Sequence, residues 1–119
     1  MFDIIEIYQL KAADRNRAVR WQSLANYTDE KGAPNAADYD RVYECGRAAL
    51  CIPAPDPETV LERIYNVFNL HKPRDFKGHS LSVSDVVTLD GVAWYVDVYG
   101  FKQIENFKEE KPCPTRQEN

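Results

Sequence analysis

The sequence predicts an α+β domain. A mostly antiparallel sheet of about four or five strands carries one main helix, near residues 57–69, and a C-terminal β-hairpin near residues 84–98. Three observations predict it. Asp90-Gly91 separates two apolar runs, which is a hairpin signature. Val60, Leu61, Ile64, Val67 and Phe68 recur at the spacing of one buried helix face. The N-terminal stretch "FDIIEIYQL" is rich in isoleucine and apolar on both sides, as a central strand should be.

Each element follows in chain order. In the first strand Phe2, Ile4, Tyr8 and Leu10 alternate with Ile5 and Ile7, so both faces want cover. "RNRAVRWQSLANY" reads as a short helix with Ala18, Trp21, Leu24 and Ala25 along one stripe. "KGAPN", residues 31–35, is a turn. Tyr39 to Cys45 alternates Tyr39, Arg41 and Tyr43 against Asp40, Val42 and Glu44, which predicts a second strand. The prolines of "CIPAPDPE" stop regular structure. The same stretch starts the main helix, with Asp56 as cap and Pro57 at the first position. Pro73 stops it after "NLHKP", where His71 and Lys72 complement the negative end of the helix dipole.

The Asp90-Gly91 pair predicts a type I′ turn, because both residues tolerate positive φ. That turn sets Leu89 opposite Val92, Thr88 opposite Ala93, Val87 opposite Trp94 and Val86 opposite Tyr95. Continued outward, it sets Asp85 opposite Val96, Ser84 opposite Asp97 and Val83 opposite Val98. One face then holds Val83, Val87, Leu89, Val92, Trp94, Val96 and Val98, and this is the expected core. The other face holds Ser82, Ser84, Val86, Thr88, Ala93, Tyr95, Asp97 and Tyr99, half polar and aromatic. Asp85 falls on the apolar face. Three arrangements would accommodate it: a ladder that starts after it, backbone N–H donors to its carboxylate, or a β-bulge. Gly100 predicts a further bend, after which "FKQI" leaves the hairpin or joins another strand.

The totals bound the function. The chain has 119 residues, 44% of them hydrophobic and 29% charged, which suits one globular domain over residues 1–107 with a polar, proline-broken tail at 108–119. A net charge of −4 gives no general support for nucleic-acid binding. No apolar run reaches the ~18 residues of a membrane helix. Asp3 and Glu6 interrupt the N-terminal apolar stretch, unlike a signal peptide, so a cytoplasmic protein with no membrane partner is expected. Three cysteines, Cys45, Cys51 and Cys113, with no C-x-x-C spacing, agree with a reducing compartment. His71 and His79 are the only histidines and have no thiol pair near them, so neither a metal nor a cofactor is expected.

Three readings compete for the polar residues. His79, Ser80, Ser82, Ser84, Asp85 and Asp97 supply the residue types of a nucleophile–base–acid set. "GHSLS" lacks the last glycine of a nucleophile elbow, however, and serines entering a strand are commonly turn residues, so no catalytic residue is assigned. A binding face is the second reading: His79, Ser84, Tyr95, Asp97 and Tyr99 combine aromatic rings with polar groups. Its bland counterpart has the tyrosines packed under a helix with their hydroxyls reaching the edge. Third, Arg74, Lys77 and Lys102 lie close to the hairpin in sequence and could contact phosphates. Lys11, Arg15, Arg17 and Arg20 form a further basic cluster, read as a solvated helix face.

The chain also resembles a known family. The runs "GHSLSVSDVV" and "WYVDVYGFKQI", with "LERIYNVFNLHKPRDF", "YDRVYE" and "IYQL" upstream, are similar to the YodL-like domain, over nearly the whole chain to about Phe107. The resemblance implies an accessory domain of Gram-positive bacteria and their conjugative elements and phages, often set beside helicase or methyltransferase modules. It brings no catalytic residues with it. The expected function is therefore a non-enzymatic interaction module that binds another protein. Nucleic-acid binding during transfer of a mobile element is the alternative, and a small hydrolase using His79 and a nearby serine is a weaker one.

Overall fold

The computed structural model describes residues 4–46, 56–70, 78–105 and 107. The elements are β1 (Ile4–Leu10), α1 (Leu24–Lys31), β2 (Tyr39–Gly46), α2 (Pro57–Leu70), β3 (Val86–Leu89), β4 (Val92–Val96) and β5 (Phe101–Ile104), with short 3-10 turns at Asp14–Asn16 and Ala36–Asp38. The strands form one five-stranded sheet in the order β2-β1-β3-β4-β5, and every neighbouring pair is antiparallel. This is the α+β architecture that the hydrophobic pattern predicts, with the hairpin and the first strand at its centre.

The reversal at Asp90-Gly91 has φ of 52° and 87°, both positive as a type I′ turn demands. It pairs Val86 with Tyr95, Val87 with Trp94, Thr88 with Ala93 and Leu89 with Val92, as predicted. Asp90 also holds the start of β1: its carboxylate accepts from the Ile4 N–H at 2.7 Å, and its own N–H donates to the Ile4 carbonyl at 2.9 Å. Gly100, at φ 74°, closes the next turn, and "FKQI" returns beside β4 as β5.

The main helix forms where predicted. The Asp56 carboxylate accepts from the Thr59 N–H at 2.9 Å, and Pro57 opens the first turn. Val60, Leu61, Ile64 and Phe68 are fully buried against Ile5, Ile7, Val87, Leu89 and Val96. Phe68 also meets the Tyr43 ring edge-on at 5.1 Å.

The second face is packed, as the reading that sets its tyrosines under a helix has it, and not open as the binding-face reading has it. Tyr8, Val86, Ala93 and Tyr95 are buried there beneath Val19 and Tyr27, so this side is a second core and not an open surface. The cover comes from residues 14–31, but not as the helix predicted over "RNRAVRWQSLANY". Trp21 sits at φ 70°, which an α-helix does not tolerate, so the helix begins only at Leu24, capped by the Ser23 hydroxyl. Ala18, Trp21 and Ala25 therefore share no buried stripe and are exposed, whereas Val19 and Tyr27 point inward. At the edge, β2 carries exposed Asp40, Arg41 and Glu44, charges that discourage a foreign strand. A bulge opposite Ile7 and Tyr8 shifts its register, so Tyr39 faces the tyrosine-rich core while Tyr43 and Cys45 face α2. Phe2, the proline run before Asp56, the His71–Lys72 helix end and the tail at 108–119 lie outside the described residues.

A large-to-small change under α2 should report how completely that face is packed. Ile64→Ala is expected to lower the unfolding free energy by about 2–5 kcal/mol in urea titrations, with an unchanged denaturant slope.

Candidate functional site

The polar residues converge where the chain enters β3. Ser82 to Asp85 make a turn, closed by the Asp85 N–H on the Ser82 carbonyl at 3.0 Å, with Ser84 at φ 84°. The Ser84 N–H donates to the Val96 carbonyl at 2.9 Å, and the Val96 N–H donates to the Asp85 carbonyl at 2.8 Å. Two residues thus oppose one, which is a bulge with serine in a place that favours glycine. The ladder does not continue outward to Ser84–Asp97 and Val83–Val98 as expected, because the bulge turns the chain away.

The bulge sends Asp85 into the interior, 1% exposed. Its Oδ2 accepts from the Ser82 N–H at 2.8 Å and from the Gln9 side-chain amide at 3.0 Å. All three arrangements open to Asp85 therefore occur together: the bulge, the backbone donor and a paired ladder that begins only at Val86. Burial pushes its carboxyl up to about 8, and the Ser82 and Gln9 donors and the Arg20 charge only partly oppose this. Gln9 in turn clasps the main chain of His79: its Oε1 accepts from the His79 N–H at 3.1 Å, and its Nε2 donates to the His79 carbonyl at 2.9 Å. The His79 Nδ1 lies 2.7 Å from the Ser80 carbonyl and 3.3 Å from the Gln9 Nε2, and the shorter contact favours the tautomer with the proton on Nδ1. The exposed His79 ring meets Trp21 edge-on at 5.3 Å.

Three of the expected binding residues contact one segment of their own chain. The Tyr95 hydroxyl donates to the Gln22 carbonyl at 2.6 Å. The Ser84 hydroxyl accepts from the Trp21 N–H, and the Asp97 carboxylate accepts from the Leu24 N–H, each at 3.2 Å. Side chains of the bulge and of β4 and its following turn thus hold the elbow at residues 21–24 that leads into α1. Tyr95 is fully buried and meets the Tyr27 ring edge-on at 5.8 Å, while Trp94 is only half-buried. The expected open face loses Ser84 and Tyr95, because covering the second side of the sheet requires them inside. Burial raises the Tyr39 and Tyr95 hydroxyls above the usual phenol range, and it raises that of Tyr27 to about 12.

Of the other expected residues, Tyr99 is 85% exposed at the β4–β5 turn, and His79 is exposed at the far end of the bulge loop. The Lys102 ammonium is 3.8 Å from the Asp97 carboxylate, and Arg74 and Lys77 lie outside the described residues. The catalytic geometry is not assembled. The Ser82 hydroxyl donates to the Ser80 carbonyl, that of Ser84 takes the Trp21 N–H, and among the described residues no serine hydroxyl is hydrogen-bonded to the His79 ring. Among the described residues no group of three or more His, Cys, Asp or Glu could hold a metal ion, and no helix is long and apolar enough to cross a membrane.

The profile of the family described as the YodL-like domain matches residues 4–107. The chain belongs to the YodL-like domain family. No curated protein and no solved structure matches it significantly. The match takes in every described element of this YodL-like domain, from β1 through α2 to β5.

Two residues of the YodL-like domain escape the sequence reading. Gln9 had a signal: it continues the inward row Ile5, Ile7 on β1, where a lone amide must find partners. Trp21 had none, since its exposure follows from a backbone angle that local pattern does not encode.

The Asp85 carboxyl makes a pH-dependent contribution with a definite sign. Its folded value lies above the 3.8 of an unperturbed aspartate, so its contribution is fully present below about pH 4 and is lost as pH rises towards 8. The slope is at most about 1.4 kcal/mol per pH unit. An Asp85→Asn variant keeps a side-chain oxygen for both hydrogen bonds and removes the titration. Its melting temperature should therefore gain on that of the unmodified protein between pH 5 and pH 8, as followed by circular dichroism.

Proposed function

We propose that this YodL-like domain is an accessory module without its own reaction, and that it binds another protein through the turn between β4 and β5. The observation that carries the reading is the exposure of two adjacent apolar side chains there, Val98 at 54% and Tyr99 at 85%. The turn is tightly held. The Asp97 N–H donates to the Gly100 carbonyl at 3.0 Å, the Asp97 carboxylate accepts from the Val98 N–H at 2.7 Å, and Lys102 reaches the Tyr99 carbonyl at 3.3 Å. A rigid turn that offers a tyrosine to solvent loses little entropy on binding, and tyrosine is enriched among residues that dominate interfaces. Beside it an open groove of about 430 Å³ runs between α2 and the turn, lined by Tyr65, Val83, Val96, Val98 and Phe101 with Glu62, Asn66 and Asp97 at its polar positions. An apolar anchor beside a groove with a few polar groups suits a peptide or protein segment. The setting this reading takes from the family resemblance is the machinery of a bacterial mobile element, to which the N-terminal sequence and the cysteine spacing add the cytoplasm.

A photo-crosslinking residue placed at position 99 in the cells that make the protein tests the reading. A discrete adduct with one other protein is expected, weakened by Val98→Asp and absent when the crosslinker replaces Glu30. Identical adducts from both positions, or none from position 99, would refute it. Tyr99→Ala should change stability by no more than about 0.5 kcal/mol, since the ring is exposed.

A further inference from the structure

We infer that the groove beside the β4–β5 turn takes a basic, apolar segment of the partner protein. One apolar side chain sits on the groove floor, and a neighbouring lysine or arginine meets the Glu62 carboxylate. The inference rests on the reading of that turn as a protein-binding surface, and it names the chemistry of what binds there.

The groove is apolar below and acidic at its rim. Its floor is made by Val96, which is buried, and by Phe101. The Tyr65 ring meets that of Phe101 edge-on at 6.4 Å and fixes the wall on the α2 side, and exposed Val98 makes the wall on the turn. Covering this apolar surface is the gain that an incoming apolar side chain would have. Glu62 and Asn66 stand three and four residues apart from Tyr65 and from each other on the spacing of one helix face, so the polar groups lie beside the apolar wall.

The two carboxylates of the groove differ. Asp97 is committed to its own chain: it accepts from the Leu24 and Val98 N–H groups and lies 3.8 Å from the Lys102 ammonium. Glu62 is exposed, and among the described residues it has neither an ion-pair partner nor a hydrogen bond. No lysine, arginine or histidine among the described residues lines the groove. Lys102 starts from the other face of β5, opposite Tyr95, and reaches only Asp97 and the Tyr99 carbonyl. Arg63 follows Glu62 in the chain but leaves the helix about 100° around its axis. Exposed Glu58, one turn before Glu62, extends the acidic row.

A groove of this kind is complementary to a segment that sets an apolar side chain next to a cationic one. Phosphates and acidic lipid headgroups meet like charge here, and the net charge of −4 adds to that repulsion at a distance. A second copy docked by two-fold symmetry would bring its own acidic row to the same patch. The Asn66 amide, which makes no hydrogen bond among the described residues, is placed to pair with the main chain of the bound segment.

Fluorescence anisotropy with three short fluorescein-labelled peptides tests this on the full chain: alternating lysine–leucine, glutamate–leucine and lysine–serine. Only the lysine–leucine peptide is expected to bind, and its binding should weaken with added salt. Glu62→Lys should weaken it about tenfold. Glu30→Lys makes the same change in net charge on α1 and should weaken it no more than about twofold. Lysine suits both exposed helical positions, and circular dichroism confirms that each variant is folded. In cells, the adduct from position 99 should be lost in Glu62→Lys and kept in Glu30→Lys. No binding of the lysine–leucine peptide, equal binding of either other peptide, or equal weakening by the two variants would overturn the inference. So would an adduct between two copies of this chain. An adduct with another protein that persists in Glu62→Lys overturns it while leaving the turn a protein-binding surface, whereas no adduct from the unmodified background refutes the turn reading itself.

Discussion

The reversal at Asp90-Gly91 is the constraint on which the rest of the sheet depends. Side chains alternate along a strand, so one turn of fixed length decides which residues of β3 and β4 share a face. Asp90 extends that decision to β1 through its paired hydrogen bonds with Ile4, and β1 carries it to β2. Val87, Leu89, Ile5 and Ile7 then form one continuous apolar floor for α2. A shift of one residue at the turn would send Val86 and Tyr95 to that floor and expose Val87 to the other side.

The second constraint is that a sheet apolar on both sides must be covered on both sides. Tyr8, Tyr95 and Val86 require a lid, and residues 14–31 supply it. A helix alone does not satisfy the geometry, because the chain has to turn sharply before α1. The turn is made at Trp21 and held by Ser84, Tyr95 and Asp97. Residues that look like a ligand-binding set in the sequence are thus the fastening of the lid. Their polarity is explained by three backbone groups of the elbow that need partners away from water.

Placing those residues inside changes where recognition belongs. Val98 and Tyr99 stand out because the turn that carries them is already satisfied by backbone and Asp97 contacts and leaves the two side chains without a packing role. Trp21 stands out because the lid must bend at that point, and the bend turns the ring outward beside the His79 ring. Both features arise from chain reversals rather than from the regular elements, which is where a rigid scaffold leaves side chains at liberty to meet a partner.

Local chemistry by itself determined the hairpin register, the cap and inward face of α2, and the double-sided character of β1. Each rests on a turn residue or a periodicity that acts over a few residues, and the same local runs carried the family resemblance. Only the tertiary structure decided that Ser84 and Asp85 form a bulge, that Gln9 ties His79 to Asp85, and that α1 begins three residues beyond Trp21. Those outcomes depend on which groups meet across 60 or more residues of chain: Trp21 with Ser84, Gln9 with His79, Leu24 with Asp97. Periodicity describes a face but does not say what covers it. The burial of Tyr95 and the exposure of Trp21 were therefore settled by the lid and not by the pattern of either segment.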